Sequence, residues 1–123
     1  MGIGRFKIMW ENDEVVDVYY AEERFEVTQN TNHVKRVFFK DDNKITKDDL
    51  IGFLEYQLFD AHNARQTEIL SSLGLVHYNI WELVKLTRAI SCRNNFWVKF
   101  ENDNLDYYED IKTGKFIKFR RWS

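Results

Sequence analysis

Hydrophobic and polar positions change period twice along the chain. Phe6, Ile8 and Trp10 alternate with Lys7 and Met9, and Val16, Val18 and Tyr20 alternate with Asp17 and Tyr19 beyond the polar stretch Glu11-Asn12-Asp13-Glu14. A period of two on either side of an Asn/Asp turn predicts a β-hairpin. Phe25 and Val27 predict a third short strand, and the β-branched and aromatic run Val34 to Phe39 a fourth, closed by Asp41-Asp42-Asn43.

The middle of the chain has helical spacing. Thr46 is placed as an N-cap, with Asp49 at the third helical position and Leu50, Phe53 and Leu54 behind it, predicting a helix over about 47–58. A second helix starts near His62-Asn63, presents Ile69, Leu70 and Leu73, and stops at Gly74. A third runs from Asn79, with Glu82 at its third position, through Leu83, Val84 and Leu86 to about 88. Strand character returns at Phe96-Trp97-Val98-Lys99-Phe100. Leu105, Tyr107, Tyr108 and Ile111 fit a short helix or an irregular surface segment, and Lys115 to Trp122 a final strand or a tail that orders against a partner. The whole predicts an α+β fold in one domain over 1–123. It comprises an N-terminal antiparallel sheet, a central three-helix segment and one or more C-terminal strands returning to the sheet, with 112–123 as a basic-aromatic final strand or tail.

Size and composition fit that picture. The 123 residues are 44% hydrophobic and 16% aromatic, enough apolar mass for a real core without stapling. Cys92 is the only cysteine, which excludes an intrachain disulfide and suits a reducing compartment. No window has the apolar length of a membrane span, and Met1-Gly2-Ile3-Gly4-Arg5-Phe6 resembles neither a signal peptide nor an acylation signal. A cytoplasmic protein without membrane partners is the expectation.

Charge is segregated beneath a formal net value of −2. Residues 1–60 carry thirteen acidic and eight basic side chains, and 61–123 seven acidic and ten basic. Glu101, Asp103, Asp106, Glu109 and Asp110 form an acidic run interleaved with Tyr107 and Tyr108, followed by Lys112, Lys115, Lys118, Arg120 and Arg121 without an acid among them. Such segregation steers charged partners.

The residue types that carry catalysis lack partners at useful spacing. His33, His62 and His77 lie in different predicted elements with no metal-ligand spacing around them. Cys92 has Arg93 beside it but no neighbouring base. The acid pairs Asp41/Asp42 and Glu109/Asp110 read as solvated runs, and Asp48/Asp49 suit the positive end of a helix. No glycine loop precedes a helix in a nucleotide-binding pattern. The expectation is a protein without enzymatic activity, metal or cofactor.

Binding is the remaining class. Lys115, Lys118, Arg120 and Arg121 interleaved with Phe116, Phe119 and Trp122 have the composition of a phosphate-and-stacking surface, whereas the 79–88 helix, with only Lys85 and Arg88, is a weak recognition helix. A protein interface explains more of the aromatic excess. Tyr19, Tyr20, Trp81, Trp97, Tyr107, Tyr108 and Trp122 exceed the needs of one small core, although Trp97, centred in an apolar strand, reads as packing. The expected contact residues are Glu101, Asp103, Asp106, Tyr107, Tyr108, Glu109 and Asp110 for protein, and Lys115, Lys118, Arg120, Arg121 and Trp122 for nucleic acid.

Ile45-Thr46-Lys47-Asp48-Asp49-Leu50, Leu73-Gly74-Leu75, Trp81-Glu82-Leu83-Val84, Ala89-Ile90-Ser91, Phe96-Trp97-Val98-Lys99 and Leu105-Asp106-Tyr107 occur in an order, over about 5–111, that resembles a small domain of Clostridium-like bacteria. That domain precedes HipA-like kinase domains and also resembles stand-alone proteins of phages and mobile elements. The chain departs from it at Phe53 to Arg65, where only Arg65 remains of an arginine- and tryptophan-bearing stretch, and at Ala89, where the family commonly has glycine. With a basic-aromatic tail after Ile111 in place of a kinase, the resemblance implies a scaffold and a mobile-element setting, not kinase activity. It implies a protein that binds and modulates a host bacterial complex, most concretely an anti-CRISPR inhibitor whose acids at Glu11–Glu14, Asp41/Asp42 and Glu101–Asp110 imitate nucleic acid. The alternatives are an accessory of a toxin–antitoxin or HipA-like kinase system and a small nucleic-acid-binding regulator using its basic tail.

Overall fold

A computed structural model of the chain describes residues 3–58, 68, 70–71, 74–91 and 93–113. Four antiparallel strands, β1 (Gly4–Trp10), β2 (Asp13–Tyr20), β3 (Phe25–Gln29) and β4 (Phe96–Phe100), form one sheet in the order β3-β2-β1-β4. Helices α1 (Lys47–Gln57) and α2 (Ile80–Thr87) join it in an α+β fold. The alternation read from sequence sets the two faces. Phe6, Ile8, Val16, Val18, Val27 and Val98 pack with Leu50, Leu54 and Leu58 and with Leu83 and Val84 in the main core. Met9 and Trp97, paired across β1 and β4, start a smaller cluster with Ile90 and Ile111.

The hairpin turn is tighter than expected. It is only Glu11-Asn12, with Glu11 at φ 54, and Asp13 and Glu14 already belong to β2. The register slips between Ile8 and Met9, so that Val15 is extra. That bulge allows the consecutive residues Val15 and Val16 both to be buried.

Thr46 caps α1 through a reciprocal box: its Oγ1 accepts from Asp49 N at 3.1 Å, and Asp49 Oδ2 accepts from Thr46 N at 2.9 Å. Lys40 Nζ also reaches Asp49 at 2.7 Å, and this bond, followed by that from Thr46, holds the Asp49 carboxyl below its ordinary pKa. A depressed acid contributes stability above its unfolded pKa and loses it as pH falls through the folded value. Thr46→Ala is expected to lower unfolding free energy by about 1 kcal/mol in urea titration, whereas Lys40→Ala, which removes the first of those bonds, should show a deficit that shrinks on acidification as Asp49 protonates.

Gly74, at φ 76, ends the preceding helical turn as expected, with Leu75 N donating to Leu70 O at 2.8 Å and Gly74 N to Ser71 O at 3.0 Å. Asn79 caps α2 by accepting from Trp81 N and Glu82 N. Two expectations change. The Val34–Phe39 strand is an irregular loop, because Gln29 takes up its backbone: Gln29 Oε1 accepts from Phe38 N and Nε2 donates to Lys40 O, each at 3.2 Å. Residues 107–111, ambiguous by pattern, form one π-helical turn. Most of the 62–73 helix and all of 114–123 lie outside the described residues.

The edge of β4 is closed to further strands. Its outward amides at Phe96, Val98 and Phe100 donate to Asn94 Oδ1, Arg88 O and Asp103 Oδ2 at 3.0, 2.8 and 2.9 Å.

Candidate functional site

Half of the 101–110 segment is partly buried. Asp103 forms a bidentate pair with Arg88, Oδ2 to Nε at 2.7 Å and Oδ1 to Nη2 at 2.9 Å, while Arg88 lies over the Phe100 ring. Asp106 caps the π-helical turn by accepting from Tyr108 N and Glu109 N, and its own N–H donates to Asp110 Oδ2 at 2.8 Å. Asn12 at the hairpin tip binds the same turn, donating to Asp106 Oδ1 at 3.0 Å and accepting from Tyr107 N at 2.8 Å.

Glu11 is the other half of this clasp. Its left-handed backbone aims N–H and C=O at β4: Glu11 N donates to Asn95 O at 3.1 Å and Glu11 O accepts from Trp97 Nε1 at 2.7 Å. Its carboxylate accepts from Asn95 Nδ2 at 2.8 Å and from the Tyr108 hydroxyl at 2.6 Å. The latter bond, with some desolvation, pushes the Tyr108 hydroxyl above its ordinary pKa. The 101–110 segment is thus a strap across the hairpin tip. Of the expected protein contacts, Glu101, Glu109 and the half-exposed Tyr108 ring face solvent, Tyr107 packs on the smaller cluster, and Asp103, Asp106 and Asp110 hold the strap.

Most of the described surplus aromatics are buried or partly buried. Tyr20 stacks on Trp81 with centroids 4.8 Å apart, Trp81 meets Phe6 edge-on, and Tyr19 lies under the Arg24 guanidinium at 4.3 Å. Trp97 is fully buried.

A different surface carries exposed rings. The 34–40 loop and α1 enclose an open groove of about 270 Å³ lined by Val37, Phe38, Phe39, Phe53 and Tyr56, with Lys40 and Asp49 at its side. Phe38 points into the core and meets Phe53 edge-on. Its neighbour Phe39 points out at 82% exposure, and Tyr56 is 56% exposed. Arg36 lies over the Phe39 ring at 6.0 Å and Arg93 over the Tyr56 ring at 5.0 Å. No residue of this groove was expected as a contact. The available signal was the doublet Phe38-Phe39, since adjacent residues of an extended segment face opposite ways and only one can join the core.

The chain matches no family model, no curated protein and no solved structure.

Among the described residues no three His, Cys, Asp or Glu side chains gather to hold a metal, and no helix is long and apolar enough to cross a membrane. His33 bonds Asp13 through Nε2 at 2.9 Å, accepts from Lys35 N through Nδ1, and packs against Trp10, which ties the loop to the hairpin. His77 is exposed. His62, Cys92 and the expected nucleic-acid contacts Lys115, Lys118, Arg120, Arg121 and Trp122 lie outside the described residues.

Proposed function

We propose that the chain is a non-catalytic protein-binding protein of a phage or mobile element, acting in the cytoplasm on a host or element-encoded complex. The observation that carries this reading is the groove between the 34–40 loop and α1, where Phe39 and Tyr56 stay exposed while most of the other described rings are buried or partly buried. Contiguous exposed aromatics on a rigid support are the usual anchors of interfaces. Inhibition of a defence nuclease remains the most concrete version of this role. Contact through the groove suits it better than acidic mimicry, because Asp103, Asp106 and Asp110 are engaged within the strap.

Purified chain used as bait in lysate from a host with intact defence systems is expected to retain one stoichiometric protein, identified by mass spectrometry. Truncating two interface anchors weakens binding by about 2–4 kcal/mol each, so Phe39→Ala/Tyr56→Ala should release it. Capture of nothing, or equal capture by the double variant, overturns the reading.

One observation favours the accessory of a HipA-like kinase or toxin–antitoxin system as a second reading. Ala89, where the resembling domain commonly has glycine, sits at φ 54, a left-handed conformation that glycine enters without steric cost. In that case the retained protein is a kinase or toxin encoded beside this chain.

A further inference from the structure

Resting on the protein-binding reading above, we infer that the groove takes an acidic segment of its partner: a large apolar side chain between Phe39 and Tyr56, flanked by carboxylates that reach Arg36 and Arg93. The charge pattern carries this. The chain has more acids than bases, 20 against 18, and three of its five described arginines face a carboxylate. Arg5 pairs with Asp17, Lys7 with Glu14, Arg24 with Glu26, Lys40 with Asp49 and Arg88 with Asp103. Arg36 and Arg93 do not. Among the described residues each guanidinium has a carbonyl instead, Arg36 donating to Lys40 O at 3.3 Å and Arg93 to Tyr56 O at 2.6 Å.

Those bonds fix the guanidiniums without neutralising them. Each has five N–H donors and spends one on the carbonyl, which leaves donors for a bidentate carboxylate. Each also lies against an exposed ring that lines the groove, which puts a cation beside each of the two rings. The loop supplies three cations, Lys35, Arg36 and Lys40, and no acid between Val34 and Lys40. A nucleic-acid strand fits less well. Its unbroken run of phosphates meets Asp48, Asp49 and Glu55 on the same helix, whereas a peptide places carboxylates only where the guanidiniums are.

The test is selection from a displayed library of random dodecapeptides against the full chain, alongside oligo(dT) binding by anisotropy. The expected consensus has Asp or Glu on both sides of a large apolar residue. A synthetic consensus peptide should bind about tenfold or more weakly to Arg36→Glu/Arg93→Glu and to Phe39→Ala. The charge-reversed protein, put through the same selection, should enrich Lys and Arg in place of the acids. Circular dichroism checks its folding, and Arg36→Gln/Arg93→Gln serves the affinity comparison if the reversal unfolds the chain. A neutral or basic consensus, no enrichment, unchanged affinity in the variants, or tighter binding of oligo(dT) each overturns the inference. A partner that still co-purifies through Phe39 and Tyr56 in that event leaves the protein-binding reading standing and removes only the acidic chemistry.

Discussion

Trp97→Ala is expected to destabilise the chain by about 3–5 kcal/mol, the range for deleting a buried large aromatic, out of the roughly 5–15 kcal/mol that holds a domain together. The ring is fully buried on the sheet face opposite the main core, with Met9, Ile90 and Ile111 around it and Leu105 and Tyr107 at its margin. Few side chains share that space, and the strap above them is pinned at Asp106 to the hairpin tip, so the walls cannot readily close over the void. The loss also strips Glu11 O of its indole donor. Trp97→Phe keeps one aromatic ring in the site and removes the hydrogen bond with part of the volume, for an expected loss of about 1–3 kcal/mol. Urea unfolding measures both. Amide exchange at Tyr108 and Glu109, whose N–H groups are held by Asp106, should rise further in Trp97→Ala than at core amides such as Val18, because the strap opens before the sheet does. A Trp97→Ala protein within about 1 kcal/mol of wild type, outside the range for a buried aromatic, would sink the strap as a structural element.

Much of this fold is legible because its signals are local. Phe6 and Ile8, Val16 and Val18 alternate at the strand period, Thr46 and Asp49 stand three apart for a cap, and Gly74 occupies the one position where a helix ends best on a left-handed residue. The misread segments are those whose state depends on distant side chains. Val34 to Phe39 has strand composition, yet Gln29, nine residues before Phe38, takes the amide that a ladder would need. The 101–110 run looks like a solvated acidic face because composition does not separate a carboxylate in water from one that caps a backbone. Asp106 caps its own turn, and Asp103 answers an arginine fifteen residues earlier. The groove was invisible for a related reason. Phe39 comes from a loop and Tyr56 from a helix, and no period connects them; only the tertiary fold brings them together.

Gln57 is the residue on which the groove's support converges, and removing its amide should be nearly as damaging as removing Trp97. The side chain is 1% exposed and fully engaged. Nε2 donates to Ala89 O at 2.9 Å and Phe96 O at 3.1 Å, and Oε1 accepts from Asn94 Nδ2 at 2.7 Å. These bonds fasten the end of α1 to the segment that carries Arg93, so the guanidinium over Tyr56 owes its place to them. Gln57→Leu keeps the bulk but strips two carbonyls and an amide of their partner, one of the carbonyls fully buried and the other two groups partly so. At about 1–3 kcal/mol for each stranded group, with partial relaxation, the expected loss is about 2–4 kcal/mol. Gln57→Glu tests the same contacts through pH. Its carboxylate would sit in a buried site against two carbonyl oxygens, which raises the pKa of an acid in the folded state. An acid whose folded pKa exceeds its unfolded one destabilises increasingly as pH rises from the unfolded value to the folded one. The gap in Tm between Gln57→Glu and wild type should therefore be smallest in acid, where the protonated group still donates to one carbonyl, and widen towards neutrality. A gap that stays constant with pH would show that water reaches this position, and the clamp on α1 would then have to come from elsewhere. If the gap widens as expected, affinity for a groove ligand should fall over the same pH interval in Gln57→Glu more than in wild type, because Arg93 loosens with the segment that bears it.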